Sequence, residues 1–168
     1  INDVSGFTHD KDMPKIVNET GLETVIMHSR GTPEDMDNLN HYINVMDEVY
    51  FELQARVQKA LEAGVKPEKI IIDPGFGFAK NNEQNFEVLT RIEEFKSMGF
   101  RVLAGLSRKR FIKSILDENK FTSYNDDAAN KTLDTLDNLT AGLSFYFGTK
   151  GIDIIRVHNV SKTKLMLD

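Results

Sequence analysis

Short β-branched runs alternate with longer stretches whose apolar residues recur at helical spacing. The runs ETVIMH (residues 23–28), IIID (70–73), RVLAGLS (101–107) and DIIRVH (153–158) are bounded by Gly, Pro or polar residues. They predict short strands buried on both faces, as in parallel sheets, and the opening IND predicts the end of another. Between them, residues 10–19 have helical spacing and stop at Gly21, a C-terminal cap. Thr32 followed by Pro33, Glu34 and Asp35 predicts a capped helix start. From there Ile43, Val45, Met46, Val49, Tyr50, Leu53, Val57 and Leu61 extend one long helix to Ala63 and Gly64. Further helices are predicted over 82–98, stopped by Gly99, and over 109–116. The polar stretch 117–127 reads as a loop or insertion, followed by helical residues through Phe147 and a last helix after His158. Strand and helix alternate throughout, so the fold class is α/β with parallel neighbours. Two architectures fit: a doubly wound sheet, or part of a (β/α)8 barrel.

Composition narrows the function. With 168 residues, 40% hydrophobic and 28% charged, the chain can bury one sizeable core and reads as a single domain or a piece of one. The formal charge of -5, with both signs interspersed, argues against a nucleic-acid partner and leaves a small anionic ligand open. The absence of Cys removes disulfides, thiol nucleophiles and Cys-zinc sites, which suits a cytoplasmic protein. No apolar run suggests a membrane span or a signal peptide. Because the chain opens on Ile within what reads as a strand end, we expect the polypeptide to start further upstream.

Every predicted strand end carries polar groups: Asn2 and Asp3, then Met27, His28 and Arg30, then Asp73, then Ser107, Arg108 and Lys109, then Arg156 and His158. The carboxyl edge is where parallel α/β folds hold ligands, because the loops leaving it converge there. Asp73 reads either as a turn cap or as a buried carboxylate accepting two hydrogen bonds from a guanidine-like heterocycle, such as a pterin or guanine edge. Arg108 and Lys109 read as solvated cations, or as cations kept against an unfavourable helix dipole for an anionic or acceptor-rich ligand. Arg156 and His158 lie two apart on a strand and so face one way; they read as a structural pair or as a clamp for phosphate. His9 and His41 read as surface residues, and the acidic patches around Glu93 and Asp126 as solvated faces. No Gly-x-Gly-x-x-Gly opens a helix, and GFGF lacks the Gly-Lys-Ser/Thr of a phosphate loop. No zinc spacing is present.

Taken in order, INDVSG, MHSRGTPEDM, DPGFGFAKN, GLSRKRFI and IIRVHNV resemble the dihydropteroate synthase family of folate biosynthesis, over nearly the whole chain. The resemblance implies a (β/α)8 TIM barrel, of about 250 residues when complete, with residues 1–168 covering roughly its last five strand-helix units. The implied reaction condenses 6-hydroxymethyl-7,8-dihydropterin pyrophosphate with para-aminobenzoate to give dihydropteroate and pyrophosphate. By the same resemblance Asn2 and Asp73 hold the pterin edge, Met27 walls the pterin slot, and Lys109 reaches the pterin carbonyl and ring nitrogen. Arg156 and His158 hold the pyrophosphate, with Arg156 also against the pterin ring, while Phe78 and Ser107 flank the ring and carboxylate of para-aminobenzoate. Lys109, Arg156 and His158 are the implied catalytic groups. Mg2+ is implied as cofactor, with its ligand on an upstream strand and none within this chain. Sulfonamides are implied inhibitors, and a homodimer through late helices is implied.

The sequence departs from the family where Phe7 and Ala79 replace common glycines, and where the polar stretch DENKFTSYNDDAANK is longer and lacks the familiar Glu-Arg. Two alternatives share parts of the pattern. A pterin-dependent methyltransferase barrel would use the same Asn and Asp but has no anionic leaving group to clamp. A non-catalytic barrel half serving as a partner would need none of the strand-end groups.

Overall fold

The computed structural model describes residues 1–118 and 128–168. Among the described residues there are five strands: β1 (Asn2–Asp3), β2 (Thr24–Met27), β3 (Ile70–Asp73), β4 (Arg101–Ala104) and β5 (Ile154–Ile155). The helices are α1 (Met13–Thr20), α2 (Val45–Glu62), α3 (Asn82–Thr90), α4 (Arg110–Glu118), α5 (Ala128–Thr149) and α6 (Val160–Leu167). The strands form one parallel sheet in the order β1-β2-β3-β4-β5. A doubly wound sheet reverses its strand order part-way, whereas a barrel adds each strand beside the last. The sequential order therefore selects the partial (β/α)8 barrel.

Strand β3 shows why the sheet is covered on both sides. Ile70 and Ile72 join the main core with Ile26, Val102 and Ala104, beneath the helices. Ile71 faces the other way and packs with Val25, Leu103 and the partly buried Ile154. That second face is what barrel closure buries, and its upper end carries the candidate site, because residues two further along a strand share a face.

Three predicted boundaries are corrected. The helix predicted from Thr32 begins at Val45, preceded only by a 3-10 turn at Met36–Asn38. Asn44 caps α2 by accepting from the Asp47 N–H, and Glu48 accepts from the N–H groups of Ile43 and Asn44. The intervening Asp and Asn residues favour local side-chain bonds over helix, and Ile43 is fully exposed. The predicted helix 82–98 breaks at Arg91 into α3 and a 3-10 segment, Ile92–Met98. Just before the break Thr90 bonds back to the carbonyls of Phe86 and Glu87. Strands β4 and β5 end earlier than predicted, although the Arg156 N–H still bonds the Ala104 carbonyl at 2.9 Å. Most of the predicted insertion, from residue 119 to 127, and with it Asp126, lies outside the described residues.

Both glycine replacements sit at left-handed backbone: Phe7 at φ 67° and Ala79 at φ 47°. Glycine adopts this conformation without strain, which is the physical reason for the family's preference at these turns.

Candidate active site

The turn after β3 is built from residues with divided tasks. Phe76 is fully buried and stacks between Phe111 of α4 and Phe147 of α5, with ring centroids 5.9 Å away in each case. A Cβ at Gly75 would stand 1.9 Å from the His28 carbonyl oxygen, so no side chain fits there. Phe78, half-buried, projects beyond the turn, and Lys109 Nζ lies 4.5 Å from its ring centroid. Lys109 also donates to the Phe76 carbonyl. Phe78 and Lys109 border a cavity of about 910 Å³ whose walls also include Lys80, Asn85, Arg110 and Phe111.

Asp73 is 1% exposed. One carboxylate oxygen accepts from the Gly75 N–H at 2.8 Å, and the other has no hydrogen-bond partner among the described residues. Arg156 Nη2 lies 3.9 Å from that second oxygen. Burial pushes the Asp73 carboxyl above its ordinary pKa, against the Gly75 N–H and the charges of Lys109, Arg156 and Lys80. Burial likewise lowers Lys109 to about 8, with Asp73 opposing. A buried acceptor left open beside cations is unfavourable without a ligand carrying donors.

The two cationic loops are tied together. Arg108, at φ 59°, donates twice to Asp137 of α5, at 2.8 and 2.9 Å. Asp137 also accepts from Asn159, which caps α6 immediately after His158. Ser107 Oγ lies 3.0 Å from His158 Nδ1. Ser107, expected by the carboxylate of para-aminobenzoate, places its hydroxyl against the imidazole of His158. Arg156 lies across Gly105, where an added Cβ would come within 2.7 Å of its Nη2.

Asp137 is 6% exposed, and its hydrogen bonds from Arg108 hold its pKa below the ordinary carboxylate value. Asp137→Ala is expected to cost about 2 to 3 kcal/mol of stability by denaturant unfolding near neutrality. A lowered pKa gives stability that is present above the unfolded value and lost as the carboxylate protonates. The difference between variant and parent should therefore shrink as pH falls below about 4.

The other expected residues are placed as follows. Met27 is fully buried at the end of β2, its carbonyl accepting from Arg56 at 2.6 Å. Asn2 lies exposed on the edge strand β1, in register with Val25. Arg156 and His158 are exposed on the loop leaving β5. Of the other histidines, His9 and His41 are exposed, while His28 is completely buried. Sequence reasoning did not single out Arg56, Lys80, Asn85 or Asp137. Asn85 accepts from the Gly77 N–H and donates to the Lys80 and Asn81 carbonyls, stapling the turn. Nothing local marks such residues, because their partners are set by tertiary packing.

Among the described residues, no three His, Asp or Glu side chains come together as a metal cage. Around Asp73 one carboxylate stands among the cations Lys109, Arg156 and Lys80, which offers no cage of oxygen ligands for a resident Mg2+. No described helix is long and apolar enough to cross a membrane.

A family model described as "Pterin binding enzyme" matches residues 1–158. The chain belongs to the pterin-binding enzyme family. It is similar to a dihydropteroate synthase of Synechocystis, 36% identical over 160 residues, covering 95% of this chain and 51% of the relative. Two crystal structures of Thermus thermophilus dihydropteroate synthase, in complex with 6HMPPP and with 4-aminobenzoate, each superpose with a TM-score of 0.83 over 99% of the chain. Their identities are 31% and 32%, and the chain covers 61% and 59% of them. A Yersinia pestis dihydropteroate synthase in a sulfonamide drug complex superposes with a TM-score of 0.85 at 25% identity, over 99% of this chain and 56% of that one. The chain thus spans about half the length of the curated relative it matches.

Proposed function

We propose that this chain is the C-terminal part of a dihydropteroate synthase barrel. The observation that carries the reading is the buried Asp73, with one open oxygen, set beside Arg156 and Lys109, the latter also bordering the Phe78-walled cavity. A pterin edge supplies the paired N–H donors that Asp73 lacks, and Lys109 can donate to the ring's acceptors. Asn2 adds a pterin contact and Met27 an apolar wall. The Yersinia complex extends the proposal to sulfonamides as inhibitors.

The chemistry needs few groups. The C–O bond from the pterin methylene to pyrophosphate breaks, the arylamine nitrogen bonds to that carbon, and its surplus proton leaves to solvent. Arg156 and His158 neutralise charge building on the leaving group, and the electron-rich pterin stabilises the cation on the methylene. Catalysis is then mostly electrostatic stabilisation and alignment. Ser107 orients His158 through its hydroxyl. Mg2+ accompanying the pyrophosphate belongs to the same proposal, with its ligand outside this chain. So do cytoplasmic location and a homodimer through the late helices, where Phe145 and Leu165 are exposed.

The cationic pair separates this reading from the methyltransferase, which releases no anion. Calorimetric titration of the longest natural polypeptide containing this chain tests it. Tighter binding of 6-hydroxymethyldihydropterin pyrophosphate than of methyltetrahydrofolate is expected. Preference for the folate would overturn the reading.

A further inference from the structure

One side chain in the cavity wall is wholly engaged by the protein itself. Lys80 is 8% exposed and runs back beneath its own turn. Its Nζ donates to the Gly75 carbonyl at 3.1 Å and the Phe78 carbonyl at 3.2 Å, and lies 2.9 Å from His28 Nδ1. An ammonium has three N–H donors, and here each meets one acceptor. His28 Nε2 lies 3.1 Å from Glu52 Oε2. The imidazole therefore carries its proton on Nε2 and offers the Nδ1 lone pair to Lys80. Burial, with the Lys80 charge beside it, pushes His28 down to about 3, consistent with a neutral ring. Glu52 is fixed in turn by Arg30.

The turn needs this support. Gly75, Gly77 and Ala79 all have left-handed backbone, at φ 71°, 72° and 47°. The turn is also held by the Phe78 N–H to Gly75 carbonyl bond at 3.2 Å, the Asn85 staple, the Gly75 N–H to Asp73 and Lys109 on the Phe76 carbonyl, but Lys80 is the side chain that ties the Gly75 and Phe78 carbonyls together. Two of its three acceptors belong to Gly75 and Phe78, so its position and that of the Phe78 ring are coupled. Lys109 rests on that ring.

We propose that Lys80 is a positioning residue for the second substrate: with His28 and Glu52 behind it, it fixes the Phe78 ring in the wall of the cavity that receives the arylamine. The inference deepens the synthase reading and rests on it. It concerns affinity for the arylamine, and leaves the Asp73 pterin contact and the leaving-group step to other residues.

The same geometry gives the site a pH dependence. The charged or titratable groups facing Lys80 are His28 from the loop just after β2, Glu52 and Arg56 from α2, Asp73 from β3 and Lys109 from the loop before α4. Burial pushes Lys80 down to about 7, with Asp73 opposing and Lys109 and Arg56 adding to the fall. Above that pH the neutral amine has two N–H groups for three acceptors, and the turn loses a hydrogen bond. Arylamine KM should therefore rise as pH rises through about 7. Lys109 titrates higher, at about 8, and its limb should survive substitution of Lys80.

The test uses the longest natural polypeptide containing this chain, with kcat and arylamine KM measured from about pH 6 to about pH 9, and pterin pyrophosphate Kd by calorimetry. Lys80→Met is expected to raise arylamine KM about ten- to a hundredfold at acid-to-neutral pH and to remove the inflection near 7. The kcat should stay within about threefold, and pterin Kd, which Lys80 reaches only through its charge beside Asp73, should rise far less than arylamine KM; retained pterin binding also shows that the variant folds. Lys80→Arg, charged throughout, should recover part of the KM and show no inflection near 7. An unchanged KM and pH profile in Lys80→Met would overturn the inference. So would a fall in pterin affinity equal to the rise in KM, which marks a merely structural lysine. A parent polypeptide with no arylamine-dependent turnover overturns the synthase reading, and this inference with it, before any variant is made.

Discussion

Asp73→Asn is expected to weaken pterin binding by about 3 kcal/mol, on the order of a hundredfold in Kd, with the fold intact. The substitution is isosteric and removes a buried charge whose ionised form the fold disfavours, while Lys80 and Lys109 lose a neighbouring countercharge, so Tm should change only slightly. The loss arises from hydrogen-bond polarity. If the amide oxygen takes the Gly75 N–H that Asp73 now accepts, the NH2 group points at the pterin's own donors. If the amide flips, NH2 faces the Gly75 N–H instead. Either way a donor meets a donor at a site 1% exposed, where water cannot repair the mismatch. Calorimetric titration with a pterin, alongside a melting curve, checks both halves; unchanged affinity would remove Asp73 from the binding site.

Arg156→Met is expected to lower kcat/KM for the pyrophosphate substrate about a thousandfold, with most of the loss in kcat. Arg156 lies against Gly105, 42% exposed, and 3.9 Å from the Asp73 carboxylate. It is thus held in place yet free to turn its fork of donors to an anion. Met keeps much of the apolar stem and removes the charge, so the leaving group loses neutralisation as its negative charge develops. Arg156→Lys should restore only part of the rate, because a point charge replaces a planar fork. Steady-state kinetics on the three proteins decides it. A Met variant within about threefold of the parent would show that other groups carry the leaving group.

The sequence legibly encodes what is local. The three consecutive isoleucines of β3 could be read as a doubly covered strand, and Gly21 and Gly99 mark the ends they were expected to mark, with φ 62° and 80°. The parallel order followed from alternation. Where two local signals competed, the stronger was visible only in the structure: Thr32 to Asp35 looks like a helix start, but Asn44 with Asp47 and Glu48 makes the better one. The strand-end residues Asp73, Lys109, Arg156 and His158 could be listed from chain position alone, because parallel topology brings strand ends to one rim. Their supports could not. Asp137 stands 29 residues from Arg108, and Lys80 stands 52 from His28. Neither pair has a spacing or composition that distinguishes it from solvated charge. The turn DPGFGF was legible as a turn, but the inward task of Phe76 and the outward task of Phe78 emerge only once α4 and α5 pack over it.

The central claim is that the rim around Asp73 joins a pterin to an arylamine by expelling pyrophosphate. The most direct measurement is pyrophosphate release from 6-hydroxymethyldihydropterin pyrophosphate by the longest natural polypeptide containing this chain, with and without para-aminobenzoate. Release that requires both substrates, with dihydropteroate formed in equal amount, is the expected result. A folded polypeptide that binds the pterin but releases no pyrophosphate when para-aminobenzoate is added would contradict the account.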